Sequence, residues 1–340
     1  MNFHFLRKKS FGIDFGNNNT VVSDQENVLI DQPSYIVLDR SKNDVAAVGA
    51  DAFDMFEKTH PMLKPVKPMK GGVIADHESA TKLLSALMRR ARATRSVLDR
   101  YDNIIAGVPY NTTPVEKAAM RSVVEQFNPS SANLLYEPIA AAIGMGLDIC
   151  EPDGKMVVDI GGGITEIVVI SLSGIACFQS VKVAGDTMDE DIQHYFRRNY
   201  NMAIGLRTAE AVKIQAGAVQ EKLENPPDPV MVKGKDLMRG IPINRKIDHA
   251  EIARVIEKSI STIELSIIQT LEKCPPELAG DIYGNGIYVT GGNAYLRGLK
   301  ERLEKKTGLR IHIDPTALLS VSNGVRKVLK DPRQFRAVLI

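Results

Sequence analysis

The sequence predicts an α/β fold in two similar lobes, and three observations carry that expectation. The chain has 340 residues, more than one hydrophobic core usually supports. Strand-like and helix-like segments alternate along its length. A turn near the start is repeated, spacing intact, near the middle. No low-complexity linker separates the halves, so a tight hinge is expected between them.

The first strands are expected at Ser10 to Asp14 and Thr20 to Ser23, around a Gly/Asn-rich turn. Asn103 to Val108 is expected to be a buried strand. Thr113-Pro114-Val115-Glu116 after it has the form of a capping box with proline at the first helical position, and the helix should run to about Phe127. Met156 to Asp159 and Glu166 to Ser171 read as two more strands around a glycine turn. Asp248-His249-Ala250-Glu251 caps a helix reaching about Lys273, with Ile252, Val255, Ile256, Ile263, Ile267 and Leu271 at helical spacing, the pattern of a core-facing stripe. Ile287 to Thr290 is expected to be a strand, with a helix after Gly291-Gly292. Asn225-Pro226-Pro227-Asp228-Pro229 reads as a surface loop, and Ala91 to Asp102, with Arg92, Arg95 and Arg100, as a connection.

Composition narrows the function. The chain is 44% hydrophobic and 25% charged, with a formal net charge of only +2, which argues against nucleic acid as a partner. Cys150, Cys177 and Cys274 form no C-x-x-C pair, and the six histidines show no metal-ligand spacing, so a disulfide framework or a zinc site is not expected. No apolar run reaches the roughly 18–20 residues that span a bilayer. The charges at Arg7, Lys8 and Lys9 follow the apolar residues, the reverse of a signal peptide. A cytoplasmic protein is expected.

The repeated turn is the most informative feature. Asp14-Phe15-Gly16-Asn17-Asn18-Asn19-Thr20 is matched, about 145 residues later, by Asp159-Ile160-Gly161-Gly162-Gly163-Ile164-Thr165. In each, a strand ends in Asp, Gly follows two residues later, and Thr opens the next strand. Small residues that tolerate positive φ let a β-hairpin turn aim main-chain N–H groups at an anion. A carboxylate at the base can orient hydrated magnesium. One copy would be ordinary turn chemistry; two equal copies predict a clamp on a polyphosphate. A dinucleotide fingerprint is excluded, because Ile167-Val168-Val169-Ile170 continues as strand, and a P-loop is excluded by the missing G-K-[ST].

These turns, with Gly291-Gly292 after a late strand, resemble the actin, Hsp70 and sugar-kinase superfamily, and within it the MreB family. The resemblance rests also on Lys67-Pro68-Met69-Lys70-Gly71-Gly72-Val73-Ile74-Ala75-Asp76, Glu137-Pro138-Ile139-Ala140-Ala141-Ala142-Ile143-Gly144, Met156 to Glu166, Thr208-Ala209-Glu210-Ala211-Val212-Lys213 and Cys274-Pro275-Pro276-Glu277-Leu278, and spans about residues 11–328. It implies an actin-like (ribonuclease H-like) fold with nucleotide in the cleft between the lobes. The implied boundaries are a membrane-binding tail at 1–10, subdomain IA at 11–30, 76–150 and 315–340, IB at 31–75, IIA at 151–180 and 247–314, and IIB at 181–246.

The resemblance also implies roles. Asp14 and Asp159 would hold magnesium through water. Gly16, Asn17, Asn18, Asn19 and Thr20, with Gly161, Gly162, Gly163, Ile164 and Thr165, would cradle the phosphates of ATP or ADP. Glu137, helped by Thr165, would orient the attacking water. Glu210, Lys213, Gly291, Gly292 and Asn293 would surround the nucleoside; from the residues alone, Glu210 and Lys213 read as a solvated helix face, and Glu137 as favourable charge at a helix N-terminus. Several positions depart from the family pattern. Asn17-Asn18-Asn19 stands for Thr-Ala-Asn, Ile164 for threonine, Gly71 for aspartate, Asn293 for a third glycine and Tyr136 for a second glutamate. Binding is expected to survive these changes, whereas the hydrolysis rate is open.

Implied partners are further copies of the chain in filaments, the anionic inner face of the cytoplasmic membrane, and membrane proteins of cell shape and wall synthesis. Phe3, Phe5 and Leu6 beside Arg7, Lys8 and Lys9 are the expected anchor, weak in a monomer and strong in a filament through avidity, and the loop near Val97, Leu98 and Tyr101 is a second candidate. The competing readings are a small-molecule kinase, a chaperone-type nucleotide switch, and a polymer whose nucleotide is structural.

Overall fold

The computed structural model describes residues 9–42, 44–58, 60–92 and 101–340. In chain order the first 151 residues form strands β1 (Lys9–Phe15), β2 (Asn19–Ser23), β3 (Val28–Pro33), β4 (Ile36–Asp39) and β5 (Asp44–Val48), helix α1 (Ala50–Met55), strands β6 (Leu63–Val66), β7 (Met69–Lys70) and β8 (Val73–Ile74), helix α2 (His77–Arg92), β9 (Tyr101–Val108), α3 (Pro114–Glu125), β10 (Ser131–Tyr136) and α4 (Glu137–Gly144). Then follow β11 (Lys155–Ile160), β12 (Thr165–Ser171), β13 (Gly174–Val181), α5 (Gly185–Tyr200), β14 (Met202–Ala203), α6 (Leu206–Ala216), β15 (Val230–Asp236), β16 (Pro242–Ile247), α7 (His249–Lys273), α8 (Pro276–Asn285), β17 (Ile287–Thr290), α9 (Leu299–Thr307), β18 (Ile311–Ile313) and α10 (Ser320–Lys330).

The chain divides into two compact units. The first takes residues up to Glu151, with Leu172–Gly174 and Leu319–Ile340, and the second takes Pro152–Ser171 and Ile175–Leu318. Each is built on a five-stranded sheet, in the orders β10-β9-β1-β2-β3 and β13-β12-β11-β17-β18. The two orders are the same topology. A hairpin comes first (β1–β2, β11–β12), and two strands then add in parallel beside its first strand. Smaller sheets, β5-β4-β6 with the hairpin β7-β8 in the first unit and β14-β15-β16 in the second, lie in the segments expected to be inserted. The α/β fold in two similar halves is therefore present.

Local chemistry accounts for the elements read correctly. Thr113 and Glu116 form the full reciprocal capping box of α3, which ends at Glu125, two residues before the expected Phe127. Asp248 accepts from the Glu251 N–H at the start of α7, whose Ile252, Ile256, Ile263 and Ile267 are buried, with Val255 and Leu271 packed beside them. The stripe is core. The proline-rich stretch 225–229 is mostly exposed, between α6 and β15. After Gly291-Gly292 comes a 3-10 turn, Gly292–Tyr295, and only then helix α9.

Two boundaries move. β9 begins at Tyr101, whose ring is buried and packs edge-on against Phe11 at 5.5 Å and tilted against Phe127 at 5.7 Å. Tyr101 is thus a sheet residue with no surface to give a membrane, and Val97, Leu98, Arg95 and Arg100 lie outside the described residues. β1 begins at Lys9, which pairs with Tyr101, so Lys9 and Ser10 belong to the sheet; Phe3, Phe5, Leu6, Arg7 and Lys8 lie outside the described residues. No helix among the described residues is long and apolar enough to cross a membrane.

Candidate functional site: two matched hairpin turns

The two turns are hairpins of equal length. Phe15 pairs with Thr20 and Ile160 with Thr165, leaving four residues in each loop. Their glycines are required for the same steric reason. A Cβ on Gly16 would stand 2.9 Å from the Asn19 carbonyl oxygen, and one on Gly161 would stand 3.1 Å from that of Ile164. The sequence-based reason, tolerance of positive φ, is corrected here: none of the loop residues of either turn has positive φ. Glycine is needed because the chain folds back onto itself with no room for a side chain. The Gly161 N–H closes the second turn on Ile164 O at 3.1 Å.

In the first unit the turn is held by its own asparagines. Asn17, buried, accepts from the Gly72 N–H at 3.0 Å. Asn18 Oδ1 accepts from Lys67 Nζ at 2.8 Å, and Asn19 donates to Asp31 at 2.9 Å. Thr20 is fully buried. Ser34 gives its hydroxyl proton to Gly16 O, so the 2.9 Å contact between Thr20 and Ser34 has Thr20 as donor. Thr20 thus braces the turn, and its hydroxyl faces Ser34. Gly71 and Gly72 form the two-residue loop of the β7–β8 hairpin with φ of 60° and 80°, a type I′ turn that Gly-Gly and Asp-Gly both supply. The departure at Gly71 therefore leaves the turn type unchanged.

Glu137 opens α4, with Tyr136 as N-cap and Pro138 next. Its side chain lies over the β9 backbone, where a Cβ on Gly107 would come 3.2 Å from its Cγ. Tyr136, in place of a second acid, accepts from Lys117 Nζ at 2.9 Å and meets Tyr110 edge-on at 4.8 Å.

In the second unit the turn is gripped by neighbours far away in sequence. Helix α5 has no side-chain cap at Ala184. Its first N–H groups, from Gly185 and Asp186, donate instead to Gly161 O at 3.1 Å and Gly162 O at 2.7 Å. Asn293, buried, donates through Nδ2 to Gly161 O at 2.7 Å and Ile160 O at 3.3 Å. The asparagine that replaces a glycine is therefore a clip on the turn. Gly291 has φ 84°, and a Cβ there would lie 2.4 Å from both Asp159 Oδ1 and Ile160 O, so only glycine fits. Burial pushes the Asp159 carboxyl up to about 6. Glu166, buried opposite Asp159 in the ladder, is a second carboxylate on that face.

Two site residues have partners that local sequence does not show. Lys213 is not on a solvated face: it is 7% exposed, and its ammonium donates to Gly185 O and to Asp189, both at 2.9 Å. Burial pushes Asp189 up to about 7 against the pull of Lys213. Thr165 is fully buried and gives its hydroxyl proton to Val183 O at 2.7 Å, so only its lone pairs remain for a water. Glu210 lies on α6, one turn before Lys213.

The carboxylate at the base of each turn is a donor of the type magnesium takes. The ion's preferred environment is one or two carboxylates, substrate phosphates and retained waters. Asp14 and Asp159 each stand at the base of the turn of their own unit, and a cation beside Asp159 would offset the desolvation of its carboxylate. Among the described residues no group of three or more His, Cys, Asp or Glu could hold a metal without such help.

Comparison with known proteins identifies the family. The MreB/Mbl protein family model matches residues 8–337. The chain is 36% identical over 336 residues to the cell shape-determining protein MreB of Escherichia coli (strain K12), covering 96% of this chain and 95% of that protein. It is 33% identical over 320 residues to Mbl of Bacillus subtilis (strain 168), covering 93% and 95%. Crystal structures of MreB5 of Spiroplasma citri bound to AMPPNP and to ADP superpose with a TM-score of 0.90 at 33% identity, covering 96% and 97% of this chain and 97% and 98% of theirs. A MamK double helical filament subunit shares the fold, with a TM-score of 0.78 at 19% identity, over 96% of this chain and 99% of its own. An actin-like α/β chain with paired glycine turns, matched over nearly its whole length, belongs to the MreB/Mbl family.

Proposed function

We propose that the protein binds ATP with magnesium, polymerises into membrane-associated filaments that organise cell-wall synthesis and cell shape, and hydrolyses its nucleotide slowly. The observation that carries this is the pair of matched turns, locked by the same glycine contact. Relatives crystallised with AMPPNP and ADP support the choice of nucleotide, and the MamK filament supports self-association.

In this reading main-chain N–H groups within residues 16–19 and 162–164 hold the phosphates, the Gly161 N–H being used to close its own turn. Asp14 and Asp159 orient the waters of magnesium, which when bound neutralises phosphate charge. Glu137, fixed at the first turn of α4, accepts a hydrogen bond from the attacking water. Gly291, Gly292, Asn293, Glu210 and the Lys213–Asp189 pair shape the nucleoside side. The tail at Phe3, Phe5, Leu6, Arg7 and Lys8 attaches filaments to anionic lipid.

A second reading keeps the polymer and makes the nucleotide structural. One observation favours it: the hydroxyl of Thr165 spends its proton on Val183 and is not available as a donor to the reacting groups. Incubating the protein with Mg-ATP, pelleting and imaging it, and measuring phosphate release separates the two. Filaments with release support the first reading and filaments without release the second. Soluble protein whose ATPase a sugar stimulates would support a kinase.

A further inference from the structure

The segment Lys67-Pro68-Met69-Lys70-Gly71-Gly72 lies between the small sheet of the first unit and helix α2, and nothing in the proposed chemistry uses its charges. The structure docks it on the first hairpin turn by two contacts. Gly72 N–H donates to Asn17 Oδ1 at 3.0 Å, and Lys67 Nζ donates to Asn18 Oδ1 at 2.8 Å. Both acceptors are side chains of the turn itself.

The position of the Lys67 ammonium is fixed from several sides. Pro68 follows it directly and is buried, and the N–H groups of Ala75 and Asp76 both donate to Pro68 O. The ammonium also lies 5.8 Å from the Tyr35 ring centroid, and that ring is wedged between Phe53 and Phe56 at 5.1 and 4.7 Å. The Asn18 main chain is fixed too, because its carbonyl accepts from Ser34 N–H at 2.7 Å. Asn18 offers Lys67 a hydrogen bond but no charge. A phosphate oxygen at the same turn offers a hydrogen bond together with a full opposite charge, and so adds a Coulombic attraction that the amide oxygen lacks.

We propose that Lys67 is a phosphate-binding residue of the nucleotide site, delivered from outside the hairpin with its ammonium held against Asn18 of the first turn, where it meets a polyphosphate. This deepens the nucleotide reading above and rests on it. The turn's N–H groups carry only partial charges, and Lys67 adds a full positive charge beside them. The contribution grows with the charge of the phosphate tail, so it favours ATP over ADP and leaves adenosine unaffected.

The test is a titration of the full chain with a fluorescent ATP analogue, competed by ATP, ADP and adenosine, for the unmodified protein, Lys67→Gln and Lys67→Arg. Gln can still bond to Asn18 but carries no charge, while Arg keeps the charge. The expected result is a loss of about tenfold in ATP affinity for Lys67→Gln, a smaller loss for ADP, none for adenosine, and recovery to within about threefold in Lys67→Arg. Equal thermal midpoints would show that the fold is intact. ATP affinity of Lys67→Gln within twofold of the unmodified protein, or equal losses for ATP and adenosine, would overturn the assignment while leaving the nucleotide reading standing. Failure of the unmodified chain to bind ATP would overturn both.

Discussion

Replacing Asp159 with Asn should stabilise the protein without nucleotide while destroying Mg-ATP binding. Burial moves the carboxyl from 3.8 to about 6, close to two units, and each unit corresponds to about 1.4 kcal/mol. The sign follows from proton binding. The folded state holds this proton more tightly than the unfolded one, so the favourable contribution is complete below about pH 4 and is lost as pH rises to about 6. At pH 7 the ionised carboxylate therefore costs up to about 3 kcal/mol, and solvent reaching the rim of the turn reduces this to roughly 1–3 kcal/mol. Asp159→Asn, equal in size and without the charge, should raise the midpoint of nucleotide-free protein at pH 7 by about 1–4 °C. The gain should shrink toward zero near pH 4. With Mg-ATP added the order should reverse, because only the unmodified chain gains ligand stabilisation. Thermal scans from pH 4 to 7.5 read this directly. A gain that does not change with pH, or a variant less stable at pH 7, would refute burial as the cause.

The other expectations concern separate elements. Asp189, like Asp159, is held above the ordinary carboxylate range, so Asp189→Asn should gain stability relative to the unmodified chain as pH rises from about 4 to about 7, which denaturant melts at the two pH values read. Glu137→Gln should keep ATP binding and filaments but lower single-turnover phosphate release by 10²-fold or more, the range for a positioned catalytic base. Removing residues 1–8, which stops short of the first residue of β1, should abolish filament co-sedimentation with anionic liposomes and leave ATP affinity unchanged.

What could be read in the sequence was what is local. Each phosphate turn is specified by seven consecutive residues, and α3 and α7 by the side chains at Thr113, Glu116 and Asp248. Helix α5 escaped because its first N–H groups are satisfied by carbonyls of the second turn, more than twenty residues earlier, with no capping side chain to see. The Lys213–Asp189 pair, 24 residues apart, and the Asn293–Gly161 clip, 132 apart, exist only after α5, α6 and β17 assemble. A single sequence offers Lys213 as one more polar residue on a helix, and its burial is a tertiary fact. Positive φ was the wrong reason for the right glycines, since close approach and left-handed backbone demand the same residue and only coordinates distinguish them.

The central claim, that both glycine turns grip one nucleotide's phosphates, is tested most directly by a crystal structure of the protein with magnesium and a non-hydrolysable ATP analogue. The expected result places phosphate oxygens within hydrogen-bond distance of main-chain N–H groups from residues 16–19 and from 162–164, with the ion reached through water by Asp14 and Asp159. A phosphate tail bound at only one of the turns, or at neither, would contradict it.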